Sequence, residues 1–127
     1  MKVYVGQTRA RDLIKELTGL GWGEMTQPKE VPARRRPWAL DNAAFLAFKA
    51  NKPWDQGAFM KAVETASSGK HLPDFVVAPD IVAGGKWSLT KSLQWLEWLK
   101  ARLPIVYLAV QDGMTLERIA PYVHAFD

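Results

Sequence analysis

Five short apolar runs punctuate the chain: Val3–Val5, Trp38–Leu40, Phe75–Ala78, Ile105–Val110 and Val123–Phe126. They are rich in β-branched and aromatic residues and lack strict alternation, the pattern of strands covered on both faces in a parallel sheet. Helix-like segments separate them. Thr8 is placed to cap Arg9–Thr18, with Gly19 as the stop, and Asn42–Ala50 and Asp55–Ser67 read as two helices broken at Lys52-Pro53. Leu89–Leu103 carries Leu89, Leu93, Leu96, Leu99 and Leu103 on one stripe, with Ser88 as its cap and Pro104 ending it. Thr115 caps a last short helix containing Leu116, Ile119 and Ala120. Trp95 and Trp98, beside the leucine stripe, read as packing residues rather than as a base-stacking platform.

This alternation predicts an α/β fold built from βαβ units, with right-handed crossovers and a parallel sheet. Two architectures fit it. One is a doubly wound open sheet that finishes with five strands. The other is the first half of a (β/α)8 barrel, with about five strands present and the rest beyond residue 127.

A length of 127 residues predicts one domain, 1–127. At 48% hydrophobic and 24% charged residues, the composition is that of a globular chain and excludes a disordered one. The longest apolar stretch, Leu103 to Val110, is under half of what a membrane-spanning helix needs, so no membrane partner is expected. The N-terminus lacks the apolar segment of a secretion signal, and the absence of cysteine excludes disulfides and thiolate metal sites; both fit a cytoplasmic protein.

Charge is unevenly divided. Residues 1–61 hold eleven Lys/Arg against six Asp/Glu, a net +5, whereas residues 62–127 hold six against seven. Arg34, Arg35 and Arg36 form the densest point, so a polyanion such as nucleic acid is one expectation and a solvated basic loop is the other.

In either architecture ligands gather at the carboxyl ends of the strands. There the second apolar run is followed by Asp41, the third by Asp80, the fourth by Gln111 and the fifth by Asp127. An Asp after a strand commonly caps the next helix. That account is weaker for Asp80, because Ile81–Gly85 intervenes before the helix, and poor for Gln111, since Gln is not a favoured cap. Two carboxylates and an amide at one rim suit acid/base work and hydrogen bonding to a purine edge. Phe45, a helical turn beyond Asp41, either stacks on a planar ligand or packs in the core. His71 and His124 stand in no metal-ligand pattern, and phosphate-loop glycine motifs are absent, so no metal or cofactor is expected.

Ala39-Leu40-Asp41-Asn42-Ala43-Ala44-Phe45, Phe75-Val76-Val77-Ala78-Pro79-Asp80 and Leu108-Ala109-Val110-Gln111-Asp112-Gly113 resemble, in order, three segments of the tRNA-guanine transglycosylase superfamily. These are its Asp-Ser-Gly-Gly-Phe segment, its base-recognising Asp and its Val-Gln-Gly segment, and the likeness is to the N-terminal half of the DpdA-type branch. That branch is associated with placing 7-deazaguanines in the DNA of phages and bacteria. The resemblance implies that Asp41 is the catalytic acid/base, that Asp80 and Gln111 bind the base, and that Phe45 stacks on it. It also implies base exchange through an oxocarbenium-like transition state, with guanine or a 7-deazaguanine as ligand and DNA or tRNA as substrate.

The sequence departs from the family at several places. Ala43-Ala44 stands for paired glycines and Asp112 for a frequent Gly, and the family's Gly-Gly loop after strand five, its nucleophilic Asp and the Cys/His zinc site of the tRNA enzymes have no counterpart, since Asp127 lies too early. The expectation is therefore a chain with little or no activity alone, completed by a C-terminal half or by self-association, or else artificially shortened. The competing expectations are a non-catalytic nucleic-acid-binding module that uses Arg34, Arg35 and Arg36, and an unrelated α/β enzyme with a carboxylate rim.

Overall fold

The structure is a computed structural model describing residues 1–127. Five strands, β1 (Tyr4–Gly6), β2 (Gly23–Thr26), β3 (Trp38–Leu40), β4 (Val76–Val77) and β5 (Val106–Tyr107), form one sheet. Its order is β1-β2-β3-β4-β5, and every neighbouring pair is parallel. The helices are α1 (Arg11–Gly19), α2 (Ala44–Lys49), α3 (Gln56–Ser67), α4 (Lys86–Lys100) and α5 (Leu116–Ile119). None is long and apolar enough to cross a membrane.

Spatial order follows chain order without a reversal. A doubly wound sheet reverses at a switch point; this one does not. With crossovers of one hand, successive connections fall on one face of such a sheet. Trp38, Leu40, Val76, Ala78 and Val106 accordingly share a single core with Phe59, Ala62, Val63 and Ala66 of α3, Leu99 of α4 and Leu103 just beyond it. The alternate residues Tyr4, Met25 and Tyr107, with Phe75 and Val77, point to the opposite face, where Phe75 and Tyr107 stack at 4.3 Å and Tyr4 meets Phe75 edge-on at 5.1 Å. Gly23 allows this: a Cβ there would lie 2.5 Å from the Tyr4 ring.

Two expectations about strands fail. Gly23–Thr26 is a strand that the apolar runs do not mark. Its inward residues are polar, and buried Glu24 accepts from the Thr26 hydroxyl at 2.9 Å and from the Arg34 amide at 3.3 Å, both at Oε1. Conversely, Val123–Phe126 is not a strand but a run of turns. Phe126 is buried because it packs into the core, and the chain end clips onto β5 where the Asp127 amide donates to the Val106 carbonyl at 3.0 Å.

Helix starts differ in a similar way. Thr8 does not cap α1, which begins after Ala10. Ser88 does not cap α4, which begins a turn earlier, after Gly85. Ser88 is fully buried instead, and its hydroxyl accepts from the Ile81 amide at 2.9 Å, pinning the loop after β4. Thr115 does cap α5, accepting from the Arg118 amide at 3.4 Å. Trp95 and Trp98 are packing residues, with Trp95 edge-on to Trp54, Phe59 and Trp98.

Candidate functional site

The carboxyl ends of β3, β4 and β5 bring Asp41, Asp80 and Gln111 into one polar cluster. Asp80, only 7% exposed, is its centre. Its Oδ1 accepts from Asn42 Nδ2 at 2.6 Å and its Oδ2 from Gln111 Nε2. Gln111 is oriented by a second bond, since its Oε1 accepts from the Ala83 amide at 3.2 Å. Asp41 adds negative charge near Asp80, and its own Oδ2 accepts from Gln27 Nε2 at 2.9 Å.

None of the three caps a helix. α2 follows Ala43, α4 follows Gly85, and α5 takes Thr115. The local capping at β3 falls to Asn42, whose Oδ1 accepts from the Ala44 amide at 2.8 Å. Asn42 is 2% exposed and also donates to the Ala78 carbonyl at 2.8 Å, so one buried amide ties the end of β3 to β4 and to Asp80.

Burial raises the Asp80 pKa above its ordinary value; the Asn42 hydrogen bond opposes this, the Asp41 charge adds to it, and the Lys91 charge opposes it. Lys91 approaches from α4, its ammonium 4.0 Å from the centre of the Trp54 ring. Its pKa is lowered by burial and partly restored by Asp80. Trp54 in turn donates from Nε1 to the Asn42 carbonyl at 2.7 Å. The carboxylate drawn out of water is compensated by two amides and one nearby ammonium.

Phe45 is 58% exposed at the start of α2, so its ring is not core packing. Ala43 adopts φ 63°, the left-handed region that favours glycine, and the loops after β4 and β5 touch through Gly85 and Gly113, both at positive φ. The arginine triplet divides. Arg34 and Arg36 are exposed, whereas Arg35 is 7% exposed and donates to the Gly23 carbonyl, so it is a buried tie to β2 rather than a surface contact. Asp127 is engaged at β5, where its Oδ2 accepts from the Val106 amide at 2.9 Å.

Asn42, Gln27 and Lys91 are members of the cluster that sequence reading passes over. Asn42 is masked by the more obvious Asp41 beside it, Gln27 follows β2, which the apolar runs do not mark, and Lys91 reaches the rim only because α4 packs beside Trp54. Comparison with protein-family models, with curated proteins and with solved structures returns no match to the chain.

Proposed function

We propose that the chain is the base-recognition side of a base-exchange transglycosylase that takes guanine or a 7-deazaguanine, with DNA or tRNA as the nucleic acid. The observation that carries this reading is the buried Asp80 carboxylate held between Asn42 and Gln111. Guanine offers an N1–H and an exocyclic amine side by side, and a desolvated carboxylate accepts both. Gln111 Nε2 spends one hydrogen on Asp80 and keeps a second for the base O6. Phe45 supplies an exposed ring for stacking. Asp41 is the acid/base residue, protonating the departing base nitrogen as the glycosidic bond breaks and taking a proton from the entering one.

The reading gives this chain no nucleophile for the sugar carbon, so exchange requires a complementary half. A sheet ordered β1 to β5 without reversal, helices packed on one face and an aromatic second face favour half of a (β/α)8 barrel over a doubly wound sheet.

Calorimetric titration of guanine, 7-deazaguanine and adenine tests the rim. Guanine and its deaza analogue should bind and adenine should not, and Asp80→Asn should abolish the difference. Equal heats for guanine and adenine would end the proposal. The second reading, a nucleic-acid-binding module without chemistry, draws on the exposed Arg34 and Arg36, neither of which has an ion-pair partner. It predicts salt-sensitive oligonucleotide binding that Asp41→Asn and Asp80→Asn leave unchanged.

A further inference from the structure

A cleft of about 290 Å³ opens between the loop after β1 and the segment after β2. Arg9 and Gln7 line it from the first, and Lys29, Glu30 and Arg34 from the second. Arg9 and Arg34 are exposed, and no carboxylate lies within ion-pair distance of either. Lys29 is held only at 3.6 Å by Asp55, with both side chains well exposed, a weak tether in water. Glu30, the one acid in the cleft, faces the Gln7 amide. Three cations thus share a polar recess with a single carboxylate, and of the three only Lys29 has an ion-pair partner, Asp55. A tetrahedral anion between the two guanidiniums offsets their charge, with charge-assisted and geometrically matched hydrogen bonds.

The cleft's position gives that anion an identity. Gln7 and Lys29 follow the carboxyl ends of β1 and β2, at the end of the sheet where Asp80 lies, and Arg34 stands farther back on the segment returning to β3, its amide donating to Glu24 at 3.3 Å. Two to three strand spacings, about 10–14 Å, separate the cleft from β4, a distance that the backbone of a strand entering the rim has to cover. We propose that this cleft seats a backbone phosphate of the nucleic-acid strand whose base enters the Asp41–Asp80–Gln111 rim, with Arg9 and Arg34 as its main contacts and Lys29 as a third. The inference rests on the base-recognition reading for the direction in which the strand runs. It also relocates the contact within the basic half: Arg35 is buried, and Arg36 lines a different cleft beside His71.

The test measures binding of a fluorescent, guanine-containing single-stranded DNA oligonucleotide to the intact chain by anisotropy, across a salt series. Three proteins are compared: the natural sequence, the double variant Arg9→Gln/Arg34→Gln, and Arg36→Gln. The double variant should bind more weakly and lower the slope of log affinity against log salt by roughly one, while Arg36→Gln changes neither. Equal slopes for all three proteins would overturn the proposal, and so would an Arg36→Gln loss as large as that of the double variant. Free guanine, titrated into the same proteins, separates the two ideas. Guanine binding with an unchanged oligonucleotide slope removes the phosphate cleft and leaves the base rim. A lowered slope without guanine binding keeps the cleft and removes the rim.

Discussion

On the helix-covered face of the sheet, Leu40, Val76, Ala78 and Val106 are wholly buried, whereas across the same strands Tyr107 is 41% exposed and Tyr4, Met25, Phe75 and Val77 are only half-buried. Both faces are apolar. What separates them is whether a helix lies on top, and the composition of a strand says little about that. The open face owes its order to ring stacking and to the space above Gly23, and the covered face to close packing against α3 and α4.

The sharpest way to break this contrast is a pair of truncations. Leu40→Ala should cost about 2–5 kcal/mol in urea unfolding, because it leaves a cavity in a sealed core. Tyr107→Ala should cost less, about 1–2 kcal/mol, since that side chain is 41% exposed and gives up partial burial and one ring stack. A Tyr107→Ala loss equal to that of Leu40→Ala would mean the second face is covered in solution.

Asn42 stands at the rim where the two faces meet. Asn42→Ala leaves the Ala78 carbonyl, the Ala44 amide and Asp80 each short of a partner, so a loss of about 1–3 kcal/mol is expected in the same assay.

Asp80 gives the contrast a pH dependence. Its folded pKa is raised by burial, so the native state holds its proton to higher pH than the unfolded chain does. The stability it contributes therefore falls as pH rises from the ordinary carboxylate range to the raised value, and stays at the lower level above it. Asp80→Asn should flatten that part of the unfolding-against-pH curve, and it loses one hydrogen bond as well, because its amide nitrogen must face the Asn42 or the Gln111 donor. An unchanged curve would place the titration elsewhere.

The smallest effect concerns Ala43, whose left-handed backbone disfavours any side chain. Ala43→Gly should raise the melting temperature slightly, for a gain of up to about 1 kcal/mol. A fall would show that the glycine's extra freedom in the unfolded chain outweighs the relieved strain.

The same contrast explains what could be read in advance. The strands at Trp38–Leu40, Val76–Val77 and Val106–Tyr107 were legible because both their faces are apolar, and α3 and α4 because their stripes are regular. β2 was not, because Glu24 and Thr26 settle their polarity by hydrogen bonds that leave no mark in the order of residues. Val123–Phe126 misled in the opposite direction: Phe126 is apolar for the core, and its neighbours follow turns. At the rim, Asp41, Asp80 and Gln111 could be grouped by the rule that strand ends converge. The amide of Asn42 and the ammonium of Lys91 needed the folded chain, since their roles come from packing between elements distant in sequence.

Because every strand pairs with the one made just before it, the ribosome delivers the pieces in the order in which they dock. β2 finds β1 already waiting, and α4 is made just before β5, the strand it packs against. Assembly can then proceed vectorially during translation, each new unit closing a short loop rather than searching for a distant mate.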